Sequence, residues 1–151
     1  MNTKYTNKLI VDYDQTVESL VKASRHDYAN SDITSKHFST QRTGQAEIDV
    51  HVLHFNRPIS SDGAIKEMDK LGLRPAELHE LLAFGAQFPD EQRKHLIIAL
   101  GSFWQFRVDG RGVVCLWGRS DVRSLRLGSW ADGDWKSDYR FLAVASLDNK
   151  K

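Results

Sequence analysis

Residues 96–130 read LIIALGSFWQFRVDGRGVVCLWGRSDVRSLRLGSW, and this run decides the architecture. Leu96 to Leu100 is continuously apolar, the pattern of a strand covered on both faces. Gly101-Ser102-Phe103-Trp104 follows, and Asp109-Gly110 reads as the turn of a hairpin whose return strand is Val113 to Trp117. Ser124 to Leu127 and, beyond the run, Tyr139 to Val144 complete a β unit. Short polar loops, Arg119-Ser120-Asp121 and Asp132-Gly133-Asp134, separate these strands. All four tryptophans lie between Trp104 and Trp135, and six of the ten glycines between Gly101 and Gly133. Aromatic and arginine anchors among small polar residues compose a binding surface. Tryptophans also fill small β cores, and that scaffold role is expected of Trp130 and Trp135.

Upstream, Lys8 to Val11 reads as a short strand, and Asp14 as the N-cap of a helix carrying Val17, Leu20 and Val21 on one face. Residues 24–44 are polar and read as a loop anchored by Ile33 and Phe38. Ile48, Val50 and Val52 alternate with polar neighbours, which predicts a half-buried strand. Ser60-Ser61-Asp62 caps a second helix with the stripe Ala64, Ile65, Met68 and Leu71, and Gly72 suits its left-handed terminator. Pro75 fits the first turn of a third helix, which buries Leu78, Leu81 and Leu82 and ends at Gly85. Glu77, His79 and Glu80 are expected on that helix's solvated rim. A helical turn over Phe88 to Gln92 leads into Leu96. The fold class is therefore α+β: two or three helices packed on a small, twisted antiparallel sheet with long loops. Residues 1–46 form a strand, a helix and a polar loop packed against a main domain over 47–151.

Length and charge exclude several functions. A chain of 151 residues is sized for one core, and a net charge of +1 gives no global field for polyanions. Arg107, Arg111, Arg119, Arg123, Arg126 and Arg140 are matched by six aspartates in the same third of the chain, so nucleic-acid binding through the first five of these arginines with stacking on Trp104 or Trp117 is a lesser alternative. A single cysteine, Cys115, rules out an intramolecular disulfide and a cysteine-rich zinc site, and its apolar strand predicts a buried thiol. His51 and His54 lie three apart in a strand and face opposite sides, so no metal site is read. No signal peptide and no apolar run of membrane-spanning length is present, which points to a soluble, cytoplasmic protein. Without a phosphate-binding glycine loop, Gly-x-Ser-x-Gly or His-Glu-x-x-His, the sequence offers no catalytic residues and no cofactor site, and the expectation is a protein that is not an enzyme.

Three segments carry a resemblance: Arg74-Pro75-Ala76-Glu77, Gly101-Ser102-Phe103-Trp104 and Arg140-Phe141-Leu142-Ala143-Val144. Their order, with Gly128-Ser129-Trp130-Ala131-Asp132 between the last two, resembles the C-type lectin-like fold over roughly residues 47–146. It is most similar to the branch of formylglycine-generating-type domains and of the variable proteins of diversity-generating retroelements. The sequence departs from that pattern in lacking the disulfide cysteines of animal lectins, the reactive cysteine pair of formylglycine-generating enzymes and a calcium–sugar motif. Asp132 alone matches a lectin calcium ligand, whereas calcium takes roughly six to eight oxygens.

The resemblance implies a fold that displays changeable residues near the C-terminus to a protein or other macromolecular ligand. Residues 118–121, 131–134 and 137–139 use only residue types reachable from asparagine codons by changing adenines, the way retroelements diversify such proteins. Loops accept such change because they do not touch the core. The expected contact residues are Phe106, Trp117 and Tyr139 for flat area, with Arg119, Ser120, Asp121, Arg126, Asp132, Asp134, Lys136 and Asp138 for polar contacts. A small-ligand or enzymatic pocket on the same fold is the alternative.

Overall fold

The computed structural model describes residues 3–130 and 133–145; Asp132 lies outside the described residues. In chain order the elements are β1 (Thr3–Asp12), α1 (Val17–Ser24), β2 (Tyr28–Ala29), β3 (Gln45–His54), α2 (Ser61–Lys70), β4 (Leu73–Pro75), α3 (Leu78–Gln87), α4 (Glu91–Lys94), β5 (Ile97–Ile98), β6 (Trp104–Arg107), β7 (Gly110–Arg119), β8 (Val122–Ser129) and β9 (Arg140–Ala145). The class is α+β. The sheet is larger than expected, with nine strands among the described residues in the order β1-β3-β9-β5-β7-β8-β2, β4 lying on β9 and β6 on β7. It is also mixed, because β5 runs parallel to β9 and β2 parallel to β8. No helix among the described residues is long and apolar enough to cross a membrane.

The last strand does not close an edge. It inserts between β3 and β5, so both of its edges are paired, and because helices cover both faces of the sheet Phe141 to Val144 are all apolar and buried. The alternation of side chains along β3, β7 and β9 feeds two separate cores. Val50, Val114, Leu116, Leu142 and Val144 join Val17, Leu78, Leu81 and Leu82 on the side covered by α1 and α3. Leu53, Val113, Cys115, Phe141 and Ala143 join Ala64 and Met68 on the side covered by α2. These are the α3 face and the α2 face of the sheet. Each fully buried leucine or phenylalanine contributes about 1.5–3 kcal/mol.

Several local expectations shift. Thr16, not Asp14, caps α1 by accepting from the Ser19 N–H, while Asp14 accepts from the Gly44 N–H. Residues 24–44 are anchored by buried Ile33 and Phe38, yet they also deliver β2 to the outer edge of β8. Leu71 is 43 % exposed: it is the C-cap of α2 rather than part of its buried stripe, and Gly72 follows at φ 74° as the left-handed residue. Pro75 lies in β4 opposite Ala143, and α3 begins only at Leu78. A residue before proline favours the extended state, which holds Arg74 in the strand. Gly85 sits inside α3, where a Cβ would meet His26 at 3.3 Å and Leu116 at 3.4 Å.

Glu80 and His79 are buried, not on a solvated rim. Glu80 occupies the third helical position and reaches back to the Glu77 N–H at 2.7 Å, closing a capping box. Its carboxylate also accepts two bonds from the Arg74 guanidinium, 3.0 and 2.7 Å, and one from the Tyr13 hydroxyl at 2.5 Å. Burial and then the Glu80 carboxylate push the Tyr13 phenol well above its ordinary range. The helix start is pinned a second time by Gly101-Ser102. The Gly101 N–H donates to the Ala76 carbonyl at 2.7 Å, and Ser102 Oγ accepts from the Leu78 N–H at 2.9 Å. A Cβ at Gly101 would lie 2.5 Å from the Ala76 oxygen, so only glycine permits this approach.

Candidate functional site

The register of β7 against β8 sorts the expected contact residues. Cys115 stands opposite Arg126, Trp117 opposite Ser124 and Val113 opposite Gly128, without a shift along the hairpin. Residues directly opposite share a face and alternate residues return to it. Arg111, Trp117, Arg119 and Arg126 therefore project on the α2 face, past the area that α2 covers. There the Arg126 guanidinium lies 3.8 Å from the Trp117 ring centroid and that of Arg119 5.6 Å. At the other end of the hairpin Arg111 lies 5.0 Å from the Phe103 ring and 4.8 Å from Trp130. Between the two groups, Trp135 packs over Gly128, whose missing side chain makes room for the indole. Tyr139 follows Trp135 at 6.3 Å between ring centroids. The result is a strip of rings and guanidinium groups along one side of the sheet.

Buried polar groups on the opposite face hold the hairpin rigid. Gln92, 1 % exposed, donates to the carbonyls of Trp117 at 2.8 Å and Ser124 at 3.3 Å. Its amide oxygen is thereby turned toward His26 Nε2 at 2.9 Å, which fixes the proton on that nitrogen, and Nδ1 lies 2.7 Å from Ser24 Oγ. Burial holds the His26 imidazole down to about 4, so it is neutral at pH 7. Arg123 is 5 % exposed and donates to the carbonyls of Ser24, Arg25, Gly85 and Pro89. Arg93 donates to the carbonyls of Arg119 and Ser120 and so steadies the turn at the hairpin tip.

The segment 133–139 is tied down from both sides. Trp135 and Ile59 exchange backbone bonds of 2.8 and 3.2 Å. Trp135 Nε1 donates to Ser61 Oγ at 2.9 Å, and Ser61 donates on to the Trp130 carbonyl at 3.1 Å. His54 Nε2 lies 2.9 Å from the Ser137 carbonyl, and Arg140 donates to the Asp138 carbonyl at 2.5 Å. Arg140 is also 3.0 Å from His95 Nε2, and burial followed by the Arg140 charge lowers the His95 pKa.

Three shallow cavities open near the end of β8, two of them lined by Ser129. One of about 250 Å³ is lined by Ser129, Asp134, Trp135, Lys136 and Tyr139, and one of about 280 Å³ by Ser60, Asp62, Arg111, Trp130 and Asp134. The third, about 370 Å³, lies on the α3 face between Asp32, Trp104, Phe106 and Leu127.

Of the expected contact residues, Trp117, Arg119, Arg126 and Tyr139 thus come together on one strip, with Asp134 and Lys136 lining its cavities. Ser120 and Asp121 form the hairpin turn, where Asp121 lies 3.5 Å from Arg119, and Asp138 is exposed beside Tyr139. Phe106 does not join them: its ring lies over Gly110 and Gly112, on the other side of the sheet. Phe103 and Arg111 also belong to the strip, although the sequence suggested Arg111 only as a nucleic-acid contact and Phe103 as none. Their parity along β6 and β7 relative to Trp117 was the available signal. The arginines considered for nucleic acid do not all share a surface, because Arg123 is an internal clamp on the α3 face while Arg111, Arg119 and Arg126 lie on the strip. Burial pushes the Cys115 thiol up to about 12. Among the described residues no group of three or more His, Cys, Asp or Glu side chains is arranged to hold a metal ion.

In comparison with known proteins, the chain matches no family model, no curated protein and no solved structure.

Proposed function

We propose that the protein is a non-enzymatic recognition protein of C-type lectin-like fold, which presents the α2-face strip to a protein or other macromolecular ligand. In this reading it is a variable protein whose strip is diversified by a retroelement. The observation that carries the reading is the division of labour across one hairpin. Trp117, Arg119 and Arg126 point outward on β7 and β8, while Leu116, Arg123 and Leu125 on the reverse side are locked in the core. Such a surface exchanges its side chains without disturbing what holds it, the condition for display on a fixed framework.

The test is the coding locus in several isolates. The reading expects a reverse transcriptase beside a near-copy of the segment coding for residues 103–139, with natural substitutions falling on strip positions. Substitutions spread evenly over Leu116, Leu125 and Phe141 would refute it. In the protein itself, replacing Arg119, Asp121, Arg126 and Asp138 together by alanine should abolish recognition of its ligand and leave Tm nearly unchanged.

The cavity of about 370 Å³ between Trp104, Phe106 and Leu127 favours a second reading, a small-ligand site, since pockets for such ligands begin near that size. A Trp104→Ala variant that loses a small ligand while the four alanine replacements keep it would select this reading.

A further inference from the structure

We infer that the partner of the strip presents carboxylates, and that Arg111 and Arg126 are the two groups that receive them. The inference rests on the recognition reading and names the chemistry of its ligand. Most arginines of the chain are satisfied within it. Arg42 pairs with Glu77, Arg57 with Glu67, Arg74 with Glu80, Arg93 with Asp90 and Arg107 with Asp109, and Arg123 is consumed by carbonyls. Arg111 and Arg126 differ. Rings hold them, Phe103 and Trp130 for the first and Trp117 for the second, and neither has a carboxylate or carbonyl partner among the described residues.

A guanidinium resting on a ring has its flat face occupied and its N–H edge left open. That edge is a fork matched to a carboxylate, which it binds by two parallel charge-assisted bonds. Stacking also removes rotamer freedom before the partner arrives, so less is lost on binding. Arg111 and Cys115, the residue opposite Arg126, are four positions apart on β7, a spacing of about 13 Å along the strand. The two forks therefore engage two different carboxylates, as an acidic protein segment supplies. Arg119 adds a third cation, 5.6 Å from the Trp117 ring centroid and in an exposed contact with Asp121 that contributes little. Asp134 and Asp138 border the strip and oppose a dense polyanion such as nucleic acid.

The experiment uses the full chain at low salt and measures affinity for four probes. Three are synthetic peptides of equal length, alternating serine with glutamate, glutamine or lysine; the fourth is an oligothymidylate. The glutamate peptide should bind at least about tenfold more tightly than the others. Arg111→Lys and Arg126→Lys, which keep the charge and remove the fork, should each weaken it about tenfold with Tm unchanged. Tighter binding of the glutamine or lysine peptide overturns the inference while leaving the recognition reading in place. Equal or tighter binding of the oligothymidylate overturns it in favour of nucleic acid. Binding of none of the four also overturns it, and the recognition reading is then judged separately by the coding locus.

Discussion

The guanidinium of Arg126 rests 3.8 Å from the centroid of the Trp117 indole, on the outward side of a hairpin whose inward side is core. The pair lies on the proposed recognition strip, whereas Trp135, on the same face, is bonded to Ser61 and Ile59 as part of the frame. Trp117→Ala and Arg126→Ala should each alter stability by no more than about 0.5 kcal/mol. Trp135→Ala removes the bond to Ser61 and uncovers Gly128, and should cost about 2 kcal/mol or more. Urea unfolding of the three variants decides the matter; equal losses in all three would erase the distinction.

Glu80 is the centre of the buried polar network on the α3 side. Glu80→Gln leaves the half-buried Arg74 guanidinium without its counter-charge, and should cost about 3 kcal/mol. Tyr13→Phe removes one hydrogen bond and should cost about 1 kcal/mol. A cycle with the double variant should give less than the sum, because both changes act on one carboxylate.

Gly101→Ala places a methyl group 2.5 Å from the Ala76 carbonyl oxygen, with no flexible side chain to yield. Strand and helix start must separate, and a loss of about 3 kcal/mol or more is expected from the fall in Tm. Gly112→Ala is the control, since its Cβ would meet Phe106 only at an ordinary 3.7 Å.

His26 makes stability depend on pH. The folded imidazole stays neutral down to about 4, against an ordinary 6.5, so the unfolded chain binds the extra proton between those values. Stability is therefore full above pH 6.5 and falls as pH drops toward 4, by about 3 kcal/mol at most from this group. Comparing unfolding at pH 7 and pH 4.5 in the parent and in His26→Gln isolates it: the variant should lose less on acidification. An equal loss in both would assign the pH dependence to other groups.

How legible this was in the sequence depended on whether a residue's role was local. The hairpin β6–β7 with its turn at Asp109, the alternation of β3, the Ser60 cap and the Gly72 terminator follow from turn chemistry and periodicity, and they are where the residues place them. Ile33 and Phe38 announced themselves as the lone apolar side chains of a polar stretch. Pro75 misled because proline suits a helix start and an extended segment equally, and only its pairing with β9 settles which. Glu80 and Arg123 misled because charge normally means exposure; their partners, Arg74, Tyr13 and four carbonyls, come from distant strands and helices that no local spacing reveals. The strip itself was partly visible. Trp117, Arg119 and Arg126 were singled out by type, but separating them from Phe106, and adding Phe103 and Arg111, required the register of β6, β7 and β8.

The central claim is that the strip is separable from the frame that holds it. The measurement that tests it most directly randomises Phe103, Arg111, Trp117, Arg119, Arg126 and Tyr139 together in a displayed library and scores the fraction of members that resist protease as the parent does. A matched library randomising Leu116, Leu125 and Phe141 sets the scale for damage to the core. The account predicts that most members of the strip library stay resistant while the core library collapses. A strip library that collapses to the level of the core library would contradict it.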